Sequence, residues 1–525
     1  MYTPCYTCRR RHIECDRSRM PCAKCEKAGL ECSEKRPIRW VKGMSVRGKM
    51  RGLSVQDASI AAANFNGTST GTRCDLIKSS ATRPKLPVTN GFKYNDTNNI
   101  SGPLSSLPLS LKDPSVSSLD RASGYYLDYY NRCICKLFIV YDSDQNPFRN
   151  LISLALGDST LLKAILALAA RHNANRHYLF RQQPLLATPP ASSTSDKDAL
   201  LYKCQAIQAL SLALNDAVSR RQDTIAASIF LLVFLDLLES GCDRWNFHLE
   251  GAKNLIASIW PSSGLETANE LDPGRTVQAI RSFITRQIYL IETLGATFAR
   301  PRLLSQPISL DQSGTPPQES VQQSFLGCPD HLLHAIQFFS LQRDIIADQA
   351  PSDDTAILSH TRHITTMLES VRDFDSYMWA SGLLPQLPSP SMQGIDKLCK
   401  LSQSFQLGSL IYGRRVLDAL TGNVTSQDDL VCALLGVIEA LKDDQILFKC
   451  ILWPIFIAGL ECQSQAQRDF LTSCLAQFWA ETSCLNAVNA SKILQEYWTR
   501  EDYGELSSPQ WIFSVGHLGY DWLLI

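Results

Sequence analysis

Six cysteines in one short stretch are the residues most able to do chemistry in this chain. They lie in CYTCRRRHIECDRSRMPCAKCEKAGLEC, residues 5–32, and the other twelve of eighteen are scattered over the remainder. The spacing is C-x2-C-x6-C, six residues, then C-x2-C-x6-C, so Cys5, Cys8 and Cys15 repeat as Cys22, Cys25 and Cys32. A CxxC turn brings two sulfurs to one side, and zinc takes four thiolates in a tetrahedron. The six sulfurs suit one zinc with two thiols to spare, three disulfides, or two zincs sharing two sulfurs. The internal repeat favours the last. Metal is also a physical need, because Ile13, Met20 and Leu30 are the main aliphatic side chains and cannot build a core.

Charge singles out the same end. The chain is neutral overall, yet residues 1–53 hold fourteen Lys/Arg against five Asp/Glu. A short basic end on an acidic body points to a polyanionic partner. The opening MYTPCYTCRRR has no apolar run of a secretory leader, so the expectation is a reducing compartment and thiols rather than disulfides. The most apolar runs, Ile225 to Leu235 and Ile451 to Leu460, fall well short of the roughly 20 residues a membrane span needs and read as buried core helices.

The cysteine stretch resembles the fungal zinc binuclear cluster, the Zn2Cys6 DNA-binding module, with the run of arginines after Cys8 and Cys15-Asp16 adding to the likeness. More loosely, IRWVKG, FHLEGAKNLI, GCPDHLL and LWPIFIAGLEC resemble segments of the regulatory domain of one branch of fungal transcription factors. The resemblance implies two Zn2+ ions on Cys5, Cys8, Cys15, Cys22, Cys25 and Cys32, with Cys5 and Cys22 bridging. Cys8 and Cys15 then complete one site, and Cys25 and Cys32 the other. It places Arg11 and His12 at the base-reading positions, and it implies a CGG-like, GC-rich target. An arginine can fork onto guanine O6 and N7. Arg9, Arg10, Arg17, Arg19, Lys24 and Lys27 are the candidate phosphate contacts, with Arg39, Lys42, Arg47, Lys49 and Arg51 as an extended arm. Three residues depart from the family pattern: His12 for the usual lysine, the acidic Glu14 before the third cysteine, and Pro21 one place late.

The elements that must carry this end follow from the pattern along the chain. The expected organisation is a cluster at 1–35, a basic arm at 36–53, a flexible low-complexity linker at 54–118 and an all-helical regulatory domain at 119–525. Apolar residues at three-and-four spacing predict helices at 159–174 and 223–241. Asp158 or Ser159 caps the first; Asp223 caps the second, and Gly241 stops it. Similar patterns occur near 197–219, 246–259, 275–295, 328–346, 400–421, 427–442 and 463–500, for about a dozen helices. Proline-rich loops are expected near 184–190, 301–317 and 384–390. The arm has no a/d repeat, so no zipper is expected there.

Catalytic look-alikes have simpler readings. Gly157-Asp158-Ser159 reads as a helix cap, Asp330, His331 and His334 as a helix start, and Cys133 and Cys135 as core thiols. No glycine-rich phosphate loop or nucleophile elbow is present, so no enzyme is expected. The expected function is a nuclear, sequence-specific regulator of RNA polymerase II transcription. Its partners are double-stranded DNA, the transcription machinery and a small-molecule effector. The alternative is a zinc-cluster module for RNA or protein; with only Tyr6 in the cluster and Trp40 beyond it, stacking platforms for bases are scarce.

Overall fold

The computed structural model describes residues 5, 7, 8, 11, 13–16, 21–30, 32, 119–178, 180, 194–241, 245–259, 275–301, 303–304, 321–348, 354–387, 390–504, 511–514 and 521–525. The basic arm and the linker expected at 36–118 lie outside them. The chain divides into two units, Met1–Ser101 and Gly102–Ile525. In the first, the described helix is α1 (Ala23–Lys27).

The second unit is all helical. It opens with α2 (Arg121–Tyr129), which continues through a π-helical turn at Tyr130–Ile134. Then come α3 (Pro147–Ala155), α4 (Ser159–Asn175), α5 (Thr194–Asn215), α6 (Asp223–Glu239), α7 (Trp245–Ile259) and α8 (Arg275–Ala296). The later half holds α9 (Asp330–Asp348), α10 (Asp354–Arg372), α11 (Ser376–Gly382), α12 (Met392–Thr421) and α13 (Asp428–Lys442). It ends with α14 (Leu452–Glu461), α15 (Gln465–Thr482), α16 (Leu485–Asp502) and α17 (Trp511–Ser514). None of the described helices is long and apolar enough to cross a membrane.

Most helix ends are where the sequence put them, for the reasons given. Asp158 caps α4, accepting from the N–H groups of Thr160 at 2.7 Å and Leu161 at 3.0 Å. Asp223 differs. It is the first residue of α6, not its cap, and its carboxylate is engaged by Arg281 of α8 at 2.8 and 3.0 Å. The 463–500 pattern is two helices, α15 and α16, broken at Ser483, whose φ is +50°. Helix α10 has no counterpart in the sequence reading. Its apolar residues are thinned by Ser, Thr and His, and Ile364, Leu368 and Val371 are its buried stripe.

Two helices sit at the centre because their sequences are apolar on every side. In α6, residues Ile225 through Leu238 are all buried, and Phe230 and Phe234 meet Phe138, Phe148, Phe283 and Phe325 in an aromatic cluster. In α14 every residue from Leu452 to Glu461 is buried. Glu461 is tolerated because Arg415 forks onto it at 2.7 and 2.6 Å, and Trp511 donates its indole N–H at 2.6 Å. Arg415 also reaches Asp418 at 2.8 Å and the Thr425 carbonyl at 2.9 Å, so this buried ionic group is saturated.

Residues 521–525 are threaded into the same core. Leu523 N–H donates to Gly241 O at 2.7 Å, Asp521 takes the guanidinium of Arg300, and Trp245 donates its indole N–H to Asp521 O at 3.2 Å. Gly241 must be glycine twice over. Its φ is +64°, and a Cβ would lie 2.7 Å from Leu523 O.

His172 of α4 is a buried, neutral core histidine. Its Nδ1 accepts from the Tyr129 hydroxyl at 2.8 Å, and its Nε2–H donates to Thr482 O at 3.0 Å. Burial drops its pKa to about 4. An unfolded chain titrates near 6.5, so between the two values the unfolded state takes a proton that the folded state resists. Stability should therefore be full above about pH 6.5 and fall by up to about 3 kcal/mol as pH drops toward 4. Urea midpoints at pH 7 and pH 5 check this. His172→Gln should remove that part of the difference.

Candidate metal and nucleic-acid site

The seventeen-residue repeat in the cysteines is also a repeat of backbone geometry. In the first half Arg11 N–H donates to Thr7 O at 3.3 Å and to Cys8 O at 3.1 Å, and Ile13 N–H donates to Cys8 O at 3.2 Å. In the second half Ala28 N–H donates to Lys24 O at 3.3 Å and to Cys25 O at 3.2 Å, and Leu30 N–H donates to Cys25 O at 3.0 Å. Every partner is shifted by seventeen. Each half is thus a short helical turn after a CxxC, closed by a bond spanning five residues. Ile13 and Leu30 occupy equivalent places and are equally exposed, at 39% and 40%.

This local folding converges the sulfurs. Cys5, Cys8, Cys15 and Cys22 place their Sγ atoms within 4.8 Å of one another, and so do Cys5, Cys22, Cys25 and Cys32. The two quartets share Cys5 and Cys22, which are 3.8 Å apart. Cys8 lies 3.7 Å from Cys22, and Cys5 lies 3.7 Å from Cys25. A tetrahedron with zinc–sulfur distances of about 2.3 Å has edges of about 3.8 Å. The donor set therefore fits zinc in both spacing and chemistry. Cys8 and Cys25, one from each quartet, approach to 3.9 Å across the shared edge. Five sulfurs belong to buried residues, and Cys32 is half-buried.

The thiols alone make a poor core. Burial pushes the Cys8 thiol up, and that of Cys25 up to about 12, whereas the Cys25 N–H holds the Cys22 thiol down. Zinc binds the deprotonated form of all of them, so its charge offsets the cost of ionising them together. Backbone donors help, with Cys8 N–H on Cys5 Sγ and Cys22 N–H on Cys32 Sγ, both at 3.3 Å. Asp16 ties the halves together. Cys22 offers α1 no side-chain cap, and Asp16 instead accepts from the Ala23 N–H at 3.2 Å.

Of the basic residues singled out by sequence, Arg11, Lys24 and Lys27 are exposed, with Arg11 in the first turn and the lysines on α1. Arg9, Arg10, His12, Arg17 and Arg19 lie outside the described residues. Glu14 is exposed. Among the described residues no further set of His, Cys, Asp and Glu gathers as metal ligands. Asp330 instead pairs with Arg286 at 2.7 Å, and His331 stacks on Phe374. Cys135 is a buried core thiol, and Cys133 is half-buried. Asp16 as a helix cap was missed in the sequence, although its place directly after the third cysteine was a signal.

Residues 3–40 match the fungal Zn(2)-Cys(6) binuclear cluster domain, and residues 125–525 match the fungal specific transcription factor domain. The chain is similar to the acriflavine sensitivity control protein acr-2 of Neurospora crassa, with 24% identity over 442 residues, or 81% of this chain and 69% of that protein. It is also similar to the trichothecene biosynthesis transcription regulator TRI10 of Fusarium sporotrichioides, with 28% identity over 140 residues. That match covers 25% of this chain and 33% of the relative. No solved structure matches. One family model spans most of the chain and the other spans all six clustered cysteines. The chain therefore belongs to the fungal zinc-cluster transcription factors, DNA-binding and zinc-binding regulators of transcription rather than enzymes.

Proposed function

We propose that the six cysteines hold two zinc ions, with Cys5 and Cys22 shared, and that the first half of the cluster reads a short GC-rich, CGG-like site in duplex DNA. The observation that carries this reading is the pair of sulfur quartets with a common edge, next to an exposed Arg11 at the end of a helical turn. Bound zinc supplies a cross-link and the folding energy that so small an apolar content lacks. The chain does the rest. Arg11 and His12 present donors to base edges in the major groove. Arg9, Arg10, Arg17, Arg19, Lys24 and Lys27 set the register on phosphates. Residues 1–35 form the reader and 36–53 a basic arm. Residues 54–118 are a tether, and 119–525 are a regulatory body that acts on RNA polymerase II transcription in the nucleus and answers to an effector. With no zipper pattern in the arm, the reading favours a monomer on DNA or pairing through the helical body.

Selection of random duplexes by the full chain with zinc tests the reading. A CGG-like motif should be enriched. Arg11→Ala should weaken that site by about 1–3 kcal/mol, and the log–log salt slope should be about −4 to −5 for about five phosphate contacts. Enrichment of an RNA in a parallel selection, with no duplex motif, would overturn the DNA reading.

A further inference from the structure

Helices α10 and α12 of the helical unit approach closely at Gly413, where a Cβ would lie 2.8 Å from Leu368 Cδ2 of α10, and 2.5 Å from Phe339 Cζ of α9. One residue further on, the helices part around a cavity of about 280 Å³. Leu368 and Leu417 give it apolar walls, and Arg372 and Arg414 both line it. Buried and half-buried arginines elsewhere in this unit reach carboxylates, as Arg171, Arg281, Arg415 and Arg468 do. Among the described residues, the guanidinium groups of the half-buried Arg414 and the exposed Arg372 make no hydrogen bond or ion pair.

The acids that share the cavity do not satisfy them. Asp418 is spent on Arg415 at 2.8 Å and on the Thr425 N–H and hydroxyl. Glu369 lines the rim without pairing to either arginine. Burial, and next the neighbouring Arg372, lower the pKa of Arg414 against the pull of Asp418 and Asp429. Two like charges are therefore held at one concave site, each with a planar fork of donors unspent.

We propose that this cleft between α10 and α12 binds a small molecule carrying a multiply charged oxyanion, forked by Arg372 and Arg414, with its apolar part on Leu368 and Leu417. The site is independent of the DNA reading and stands or falls without it. Such a ligand links the C-terminal end of α10 to α12. It also sits beside the Arg415–Glu461 group, which gives it a route to the centre of the helical unit.

The test uses the full chain and two probes, sodium pyrophosphate and sodium citrate, titrated calorimetrically against sodium chloride of equal ionic strength. At least one probe should bind above the chloride control. Stronger pyrophosphate binding marks a phosphoryl ligand, and stronger citrate binding marks a carboxylate ligand. Arg372→Gln and Arg414→Gln should each weaken binding at least tenfold. Arg362→Gln, an exposed arginine of α10 outside the cavity, should leave it unchanged. Glu369→Gln should tighten binding, which a merely structural role would not produce. Should Arg414→Gln fail to fold, Arg372→Gln at the exposed helix end decides. No binding above chloride, or equal binding by wild type and Arg372→Gln, overturns the proposal.

Discussion

Cys5→Ser should empty both metal positions at once, whereas Cys32→Ser should spare one. Cys5 belongs to both sulfur quartets and Cys32 to only one. Elemental analysis of purified full-length chain is expected to find about two zincs in the wild type, about one in Cys32→Ser and almost none in Cys5→Ser. Cys22→Ser should behave like Cys5→Ser, since Cys22 is the other shared sulfur. The consequence for folding is total within residues 5–32. Structural zinc contributes roughly 10–16 kcal/mol in small fingers, and the cluster's side chains offer nothing of that size in its place. Duplex binding should fall to the non-specific level in Cys5→Ser, with the helical unit's thermal transition unchanged. Two zincs retained in Cys5→Ser would remove the shared-sulfur arrangement.

In the helical unit the largest single loss is expected from Arg415→Met. Arg415 holds Glu461 and Asp418, both buried, and all three side chains are almost fully removed from water. Removing the cation leaves two carboxylates in the core without their counter-charge, although Thr425 still donates to Asp418 and the Trp511 indole to Glu461. Breaking a buried pair in this way costs about 3–5 kcal/mol, because the charge left behind remains desolvated. Glu461→Gln should cost less, since Asp418 still serves Arg415 and the amide oxygen still accepts from Trp511. Urea unfolding of the three proteins, followed by far-ultraviolet circular dichroism, would rank them wild type, Glu461→Gln, Arg415→Met. The reverse order of the two variants would mean that the charge of Glu461, rather than that of Arg415, organises this part of the core.

Some of this was legible in the sequence for clear reasons. The cysteine spacing is a covalent pattern, and sulfurs held by CxxC turns have few ways to avoid one another. Helices such as α4 and α6 announced themselves through caps, stops and apolar spacing. The readings that changed depended on tertiary partners. Asp223 looks like a cap until Arg281, 58 residues later, takes its carboxylate. Helix α10 is polar enough to pass for a loop, and only packing against α9 and α12 gives its Ile364–Leu368–Val371 stripe a purpose. The unpaired arginines of the cavity were invisible for a different reason. Nothing in a sequence tells a paired arginine from an unpaired one.

The threading of residues 521–525 into the core bears on synthesis. Trp245 waits 276 residues for the carbonyl of Asp521 that accepts its N–H. At roughly 5–20 residues per second, a ribosome needs roughly 14–55 seconds to make that stretch. During this interval the apolar faces of α6 and α8 lack their last cover. Until those residues arrive the apolar surface stays open, so slower elongation lengthens the time in which the nascent chain is exposed to aggregation.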